Sequence, residues 1–335
     1  MTRVRTILIG HRYIDFGRRD MVEIGDATGV SMTWARFPTA ASVIIWILRV
    51  STVALAATVP LLDIALDSLS DARRLATSIA LWVVWSAVLL CVLVPSSASL
   101  TGLRLMMPTH LGVTIAVAIG AADAGWRTLL ALAIGIVATA TAMSAEVGRH
   151  WVQLSAYGDE RRFPLACPPI TMAVQILTWT MWFALAVVAV SVPTSERPST
   201  IGWIVASIAA LLAIGGAVVL PRRFHRLTRR WLVWVPAGVV IHDHVVLAET
   251  AMMSKRSISS VELWQPGSEA LNASGAPSRR GLEISLHDPE TMIMAPTKEH
   301  PGGHALHVRS FMVRPTRVQP ALAELSERLA GRREH

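Results

Sequence analysis

The sequence predicts a membrane all-α bundle of about six transmembrane helices followed by a small α+β domain, a β-barrel or sandwich with a C-terminal capping helix. Three observations predict it. Hydrophobic residues make up 53% of the chain and charged residues only 16%, a balance too apolar for an ordinary soluble protein. Between residues 43 and 220 the apolar residues gather in long windows, whereas from 231 onward they form short runs broken by Pro, Gly and Asp, the pattern of strands. The final segment returns to helical spacing, with Val318, Leu322, Leu325 and Leu329 on one stripe.

Residues 1–37 are a polar extension. The stretch 1–33 carries charges of both signs where a secretory signal needs an apolar core, and no apolar segment follows closely on Arg18-Arg19, so neither export signal is expected. Met21 and Met32 are alternative starts. The bundle is expected over 38–221. A crossing needs about 20 apolar residues to cover about 30 Å of hydrocarbon, and six windows qualify: 43–62, 75–94, 109–124, 127–146, 170–192 and 201–220. The third is the shortest, with Pro108 and His110 at its start and a tight turn at 123–126 joining it to the fourth. Small residues four apart, such as Ala131 and Gly135 or Ala206 and Ala210, let helix backbones approach closely.

Orientation follows from arginine near the helix ends. Arg36, Arg104, Arg149, Arg161, Arg162 and the run Arg222, Arg223, Arg226, Arg229 and Arg230 fall on one side. Arg73, Arg74, Arg127 and Arg197 fall on the other. The expectation is a multi-pass protein of the inner (plasma) membrane with both termini cytoplasmic. That topology absorbs the net charge of +8, and no recognition motif accompanies it, so no nucleic-acid partner is expected. Only two of the 31 basic residues are Lys, the bias of a GC-rich bacterial genome.

Ionisable residues inside spans are costly and are the first place to look for function. Arg49 and Glu146 come to similar depth in this topology and form an intramembrane pair candidate, the alternative being an Arg49 that snorkels to the headgroups. Membrane lipids are expected at the juxtamembrane cluster RRFHRLTRR, with Arg222, Arg223, Arg226, Arg229 and Arg230 as surface candidates; the same cluster also serves simply to fix topology. The connection 144–169 reads as an interfacial helix around His150, Trp151, Leu154 and Tyr157, then a charged turn at 159–162.

The C-terminal domain is expected over 222–335. Its strand signals are 231–235, 239–241, 245–247, 258–264, 282–286, 291–295 and 306–313, with a polar His242-Asp243-His244 corner and a loop at 267–280. Pro320 suits the first turn of the closing helix and Gly331 its end. This order of strands and helix behind a helical bundle resembles actinobacterial polytopic membrane proteins that carry a C-terminal bacterial pleckstrin-homology-like (PH-like) domain. The resemblance implies an interaction or lipid-facing module, with a protein partner at the cytoplasmic domain; it carries no ligand residues over.

Two histidine groups, His242 with His244 and His300 with His304 and His307, offer ligand types without a fixed geometry, so no metal is assigned. No cofactor is expected. GxSxG, GxxxxGK[ST], HExxH and GxGxxG are all absent, and no catalytic residue is named. Cys91 and Cys167 share no metal or redox spacing. The leading expectation is therefore an anchor or scaffold that presents the PH-like domain to a protein partner or anionic lipid. The second is a small-solute transporter or channel with a regulatory domain.

Overall fold

The computed structural model describes residues 23–25, 31–33, 40–67, 69–120, 125–195, 199–275, 280–297 and 300–330. Met21, Arg18-Arg19, Arg36, Asp123, Arg197 and Gly331 lie outside them. Within the N-terminal extension, β1 (Glu23–Gly25) pairs antiparallel with β2 (Ser31–Thr33).

The helical region contains α1 (Ala40–Ala56), α2 (Thr58–Leu61), α3 (Asp63–Asp67), α4 (Asp71–Leu93), α5 (Ser97–Gly120), α6 (Trp126–Ala142), α7 (Ala145–Leu154), α8 (Pro169–Ser191) and α9 (Thr200–Thr228). Four of these, α4, α5, α8 and α9, are long and apolar enough to cross a membrane. A fifth crossing exists only if α6 and α7, bent by 55°, count as one. The six expected spans are thus not all found. The window 43–62 is broken at Ala57, and its 17-residue α1 reaches about 26 Å, short of the roughly 30 Å core. The window 127–146 breaks before Ser144, whose hydroxyl accepts from the Val147 N–H and starts α7 in a new direction. The third window is longer than expected. Ser96 accepts from the Ser99 N–H, and α5 runs on through Pro108.

Contacts at the helix ends define two ends of the bundle. At one, the Thr101 hydroxyl of α5 meets Thr228 (2.8 Å) and His225 Nδ1 (3.1 Å) of α9, and Trp151 Nε1 of α7 donates to the Cys91 carbonyl of α4. At the other, Ser70 and Arg73 donate to the carbonyls of Thr194 and Ser191 beyond and at the end of α8. Helix α8 buries no residue. It is held by Trp182, which lies against Gly216 and donates to the Ala213 carbonyl at 2.8 Å, and by Phe183, which lies against Gly112.

The β structure comprises β3 (Arg161–Pro164), β4 (Trp231–Val235), β5 (Gly238–His242), β6 (Ala251–Ser254), β7 (Ile258–Leu263), β8 (Leu271–Asn272), β9 (Leu282–Met294) and β10 (His304–Val313), followed by α10 (Val318–Ala330). Two four-stranded sheets form, ordered β3-β4-β5-β6 and β7-β9-β10-β8. All pairings are antiparallel except β10 with β8. The sheets share a core of Phe163, Leu232, Trp234, Ile241, Ile284 and Phe311, onto which α10 lays Ala321 and Leu325. Short bridges tie the two sheets, Leu165 with Pro315 and Leu247 with Met294. The result is a sandwich, not a closed barrel.

Two expectations change here. The expected strands 282–286 and 291–295 are one strand, β9, whose pairing with β10 slips at Val308/Ser310; that bulge takes up the exposed His287, Asp288 and Pro289. The second change concerns the boundary at 221/222. Helix α9 passes through it, and β3 comes from the connection between α7 and α8, well before it. Phe163 lies opposite Leu232 and Arg162 opposite Val233, while the Ala166 N–H donates to Arg314 O and the Thr316 N–H to Pro164 O, both at 2.8 Å. Segment 161–166 is therefore inserted between β4 and the chain after β10.

Candidate functional site at the base of the bundle

Strand β4 is buried on both faces, which explains its unbroken apolar run. Leu232 and Trp234 enter the sandwich core. Trp231 and Val233 face the other way and pack with Leu48, Leu100, Val147 and Trp151 of the bundle. The two parts share a wall, and the polar groups of interest collect around it.

Arg230, at the junction of α9 and β4, is only 1% exposed. Its Nε and Nη2 donate to Asp243 Oδ1 and Oδ2, each at 2.7 Å; Nη1 donates to Ala166 O at 3.0 Å and Nη2 also to Ser274 O at 3.3 Å. Asp243 accepts a further bond from the Val245 N–H. One guanidinium thus fastens the turn after β5, the end of the β3 segment and the loop after β8. This corrects the expectation for Arg230, which is a structural pair and not a lipid-facing residue. Asp243, expected in a polar corner, is 1% exposed. Cys167 sits beside the pair, and burial pushes its thiol up from its ordinary range, which makes it less reactive.

The other four arginines of the cluster are exposed. Arg222, Arg223 and Arg226 lie on the last turns of α9, and Arg229 caps it. The expected Arg49–Glu146 pair is not the one that forms. Glu146 in the first turn of α7 takes a bidentate pair from Arg317, with Nε to Oε2 at 3.0 Å and Nη2 to Oε1 at 2.6 Å. Arg317 immediately precedes α10, so this pair clamps the end of the sandwich to the bundle. Arg49 is exposed, with its guanidinium 5.4 Å from the Trp46 ring centre.

Above the shared wall, Arg162 lies 5.0 Å over the Trp231 ring, and Trp231 stacks on His242. Two nearby oxygens of Glu160 hold Arg162, at 2.9 Å each. The hydrogen bond from Arg162 holds the Glu160 carboxyl below its usual range, and a bond from the Tyr157 N–H adds to this. Burial, followed by the charges of His244 and Arg229, keeps His242 below the usual histidine range. His242 and His244 have ring centres 4.4 Å apart, and Nδ1 of His242 meets the Thr250 hydroxyl. His300 stacks on His304 and His307 meets Thr291. Among the described residues no three His, Cys, Asp or Glu side chains are grouped to hold a metal ion.

One buried group stood in the sequence without a role. His110 of α5 is fully buried, its Nε2 is 3.3 Å from the hydroxyl of Thr58, and its Nδ1 has no partner among the described residues. Thr58 begins α2, just past the break in α1, and donates to Leu55 O; its oxygen therefore accepts from Nε2–H. A histidine two residues after Pro108, inside an apolar window, was the available signal.

Comparison with protein-family models, curated proteins and solved structures finds no match to this chain.

The Arg230–Asp243 geometry yields a direct test. Asp243→Asn or Arg230→Gln alone leaves its partner charged and buried, which costs about 3–5 kcal/mol. A combined Arg230→Met, Asp243→Leu variant recovers a large part of that loss. Chemical or thermal unfolding of the three variants in the same detergent checks both outcomes.

Proposed function

We propose that the protein is a multi-pass anchor of the plasma (inner) membrane, with both termini cytoplasmic, that fixes a PH-like interaction domain against the bilayer surface. The observation that carries this reading is the exposed arginine collar, Arg222, Arg223, Arg226 and Arg229, at the end of the bundle where the sandwich packs. Helix α9 has 29 residues, about 44 Å of helix against a hydrocarbon core of roughly 30 Å, so its last turns stand in the headgroup layer. There each arginine gains about 1 kcal/mol from anionic lipid. The fusion through β3, Arg230 and Glu146–Arg317 supports a fixed platform over a tethered domain, with its outer surface free for a protein partner. Two sheets carrying a C-terminal helix support the PH-like comparison.

In nanodiscs containing anionic phosphatidylglycerol the full chain is expected to unfold at a higher temperature than in purely zwitterionic ones, with the difference shrinking at high salt. A variant with Arg222, Arg223, Arg226 and Arg229 all replaced by Gln loses that difference. Equal unfolding temperatures for the wild type in both lipids contradict the reading.

His110 favours a second reading, a small-solute or proton pathway. Buried ionisable groups beside broken helices mark such pathways, and His110 meets the break between α1 and α2. Proteoliposomes loaded with a pH-sensitive dye then show proton entry that His110→Asn removes. Entry no faster than into empty liposomes excludes the proton form of this reading.

A further inference from the structure

At the end of the bundle away from the sandwich, α4, α5 and α8 line a half-open cavity of about 310 Å³, within the roughly 300–1,000 Å³ of small-molecule sites. It exists because α8 leans on α9 and touches α4 only lightly, while the facing positions on α4 and α5, including Ala76, Ala80, Ala116 and Gly120, are small. The walls are mostly apolar. Trp182 lines the cavity with its indole N–H already given to Ala213 O, and the Thr109 hydroxyl is given to Leu105 O. Neither has a donor left for a polar solute.

One end is different. Arg73 lines the cavity and donates from Nη2 to Ser191 O at 3.0 Å, while its buried Nε–H has no partner among the described residues. Among the described residues no carboxylate pairs with Arg73, although its neighbour Arg74 is paired with Asp67. A cation with an unused donor at one end of an apolar chamber, in a wall of helices whose outer faces are apolar, matches an amphiphile with an anionic head and a hydrocarbon tail.

We propose that this cavity holds one acyl chain of an anionic phospholipid, with the lipid phosphate on the Arg73 guanidinium. The chain fills the gap between α4 and α8, and the phosphate lies against the guanidinium at the cavity's polar end. The site is separate from the arginine collar, which lies at the other end of α9.

Native mass spectrometry of the full chain, extracted from mixed phosphatidylglycerol and phosphatidylcholine bilayers into mild detergent, tests the proposal. The wild type is expected to retain one phosphatidylglycerol in preference to phosphatidylcholine. Arg73→Gln loses that preference by about tenfold, whereas Arg74→Gln, the same change of charge one residue away, keeps it. Ala186→Phe fills the cavity from α8, which buries nothing in the core, and lowers retention of both lipids. The collar variant, with four glutamines, leaves the retained lipid in place. A wild type that retains no phospholipid, an Arg74→Gln variant that behaves like Arg73→Gln, or full retention in Ala186→Phe overturns the proposal.

Discussion

Burying the Arg230 guanidinium and the Asp243 carboxylate together takes two full charges out of water, at a cost of several kcal/mol per ion that is offset only if every polar atom finds a partner. Here nearly all do: both carboxylate oxygens, the carbonyls of Ala166 and Ser274, and the Val245 N–H close the network. The network can form only when α9 has ended, β5 has turned and segment 161–166 has come back from the bundle. Its hydrogen-bonding requirements therefore fix where the sandwich stands relative to the helices. A hydrophobic pairing would tolerate sliding; a bidentate fork does not.

The same constraint explains why the helical region and the sandwich cannot be cut apart at one residue. Segment 161–166 completes the sandwich from within the bundle's own sequence. Trp231 and Val233 cover bundle residues that would otherwise face water. Glu146 and Arg317 add a third tie. A sandwich held by these three ties has a set orientation to the helices.

The amphipathic stripe of α10 was legible from its spacing, and the strands β4, β7 and β10 from short runs carrying β-branched or aromatic residues between turn signals. Segment β3 was not. Four residues with two arginines and a proline read as a turn, and they become a strand only through β4 and the chain after β10. Pro221 and Pro108 look like helix ends by local rules, yet α9 and α5 continue, as membrane helices allow when neighbours satisfy the backbone. The break at Ala57 does follow the local rule, because Pro60 in the first turn of α2 has no N–H for the Ala56 carbonyl. In the candidate site, exposure divided one arginine run into a buried structural member and four exposed ones. Sequence spacing alone could not make that division, because Arg229 and Arg230 are adjacent and face opposite environments.

Amide hydrogen exchange on the full chain in nanodiscs, followed by mass spectrometry, tests the shared architecture most directly. If the sandwich is completed by the bundle's connection, the peptide covering 161–166 exchanges as slowly as the one covering 231–235, since each supplies the other's hydrogen bonds. If 161–166 exchanges as fast as the exposed turn at 157–159 while 231–235 and 304–313 stay protected, the sandwich stands without it and the account of a jointly built platform is wrong.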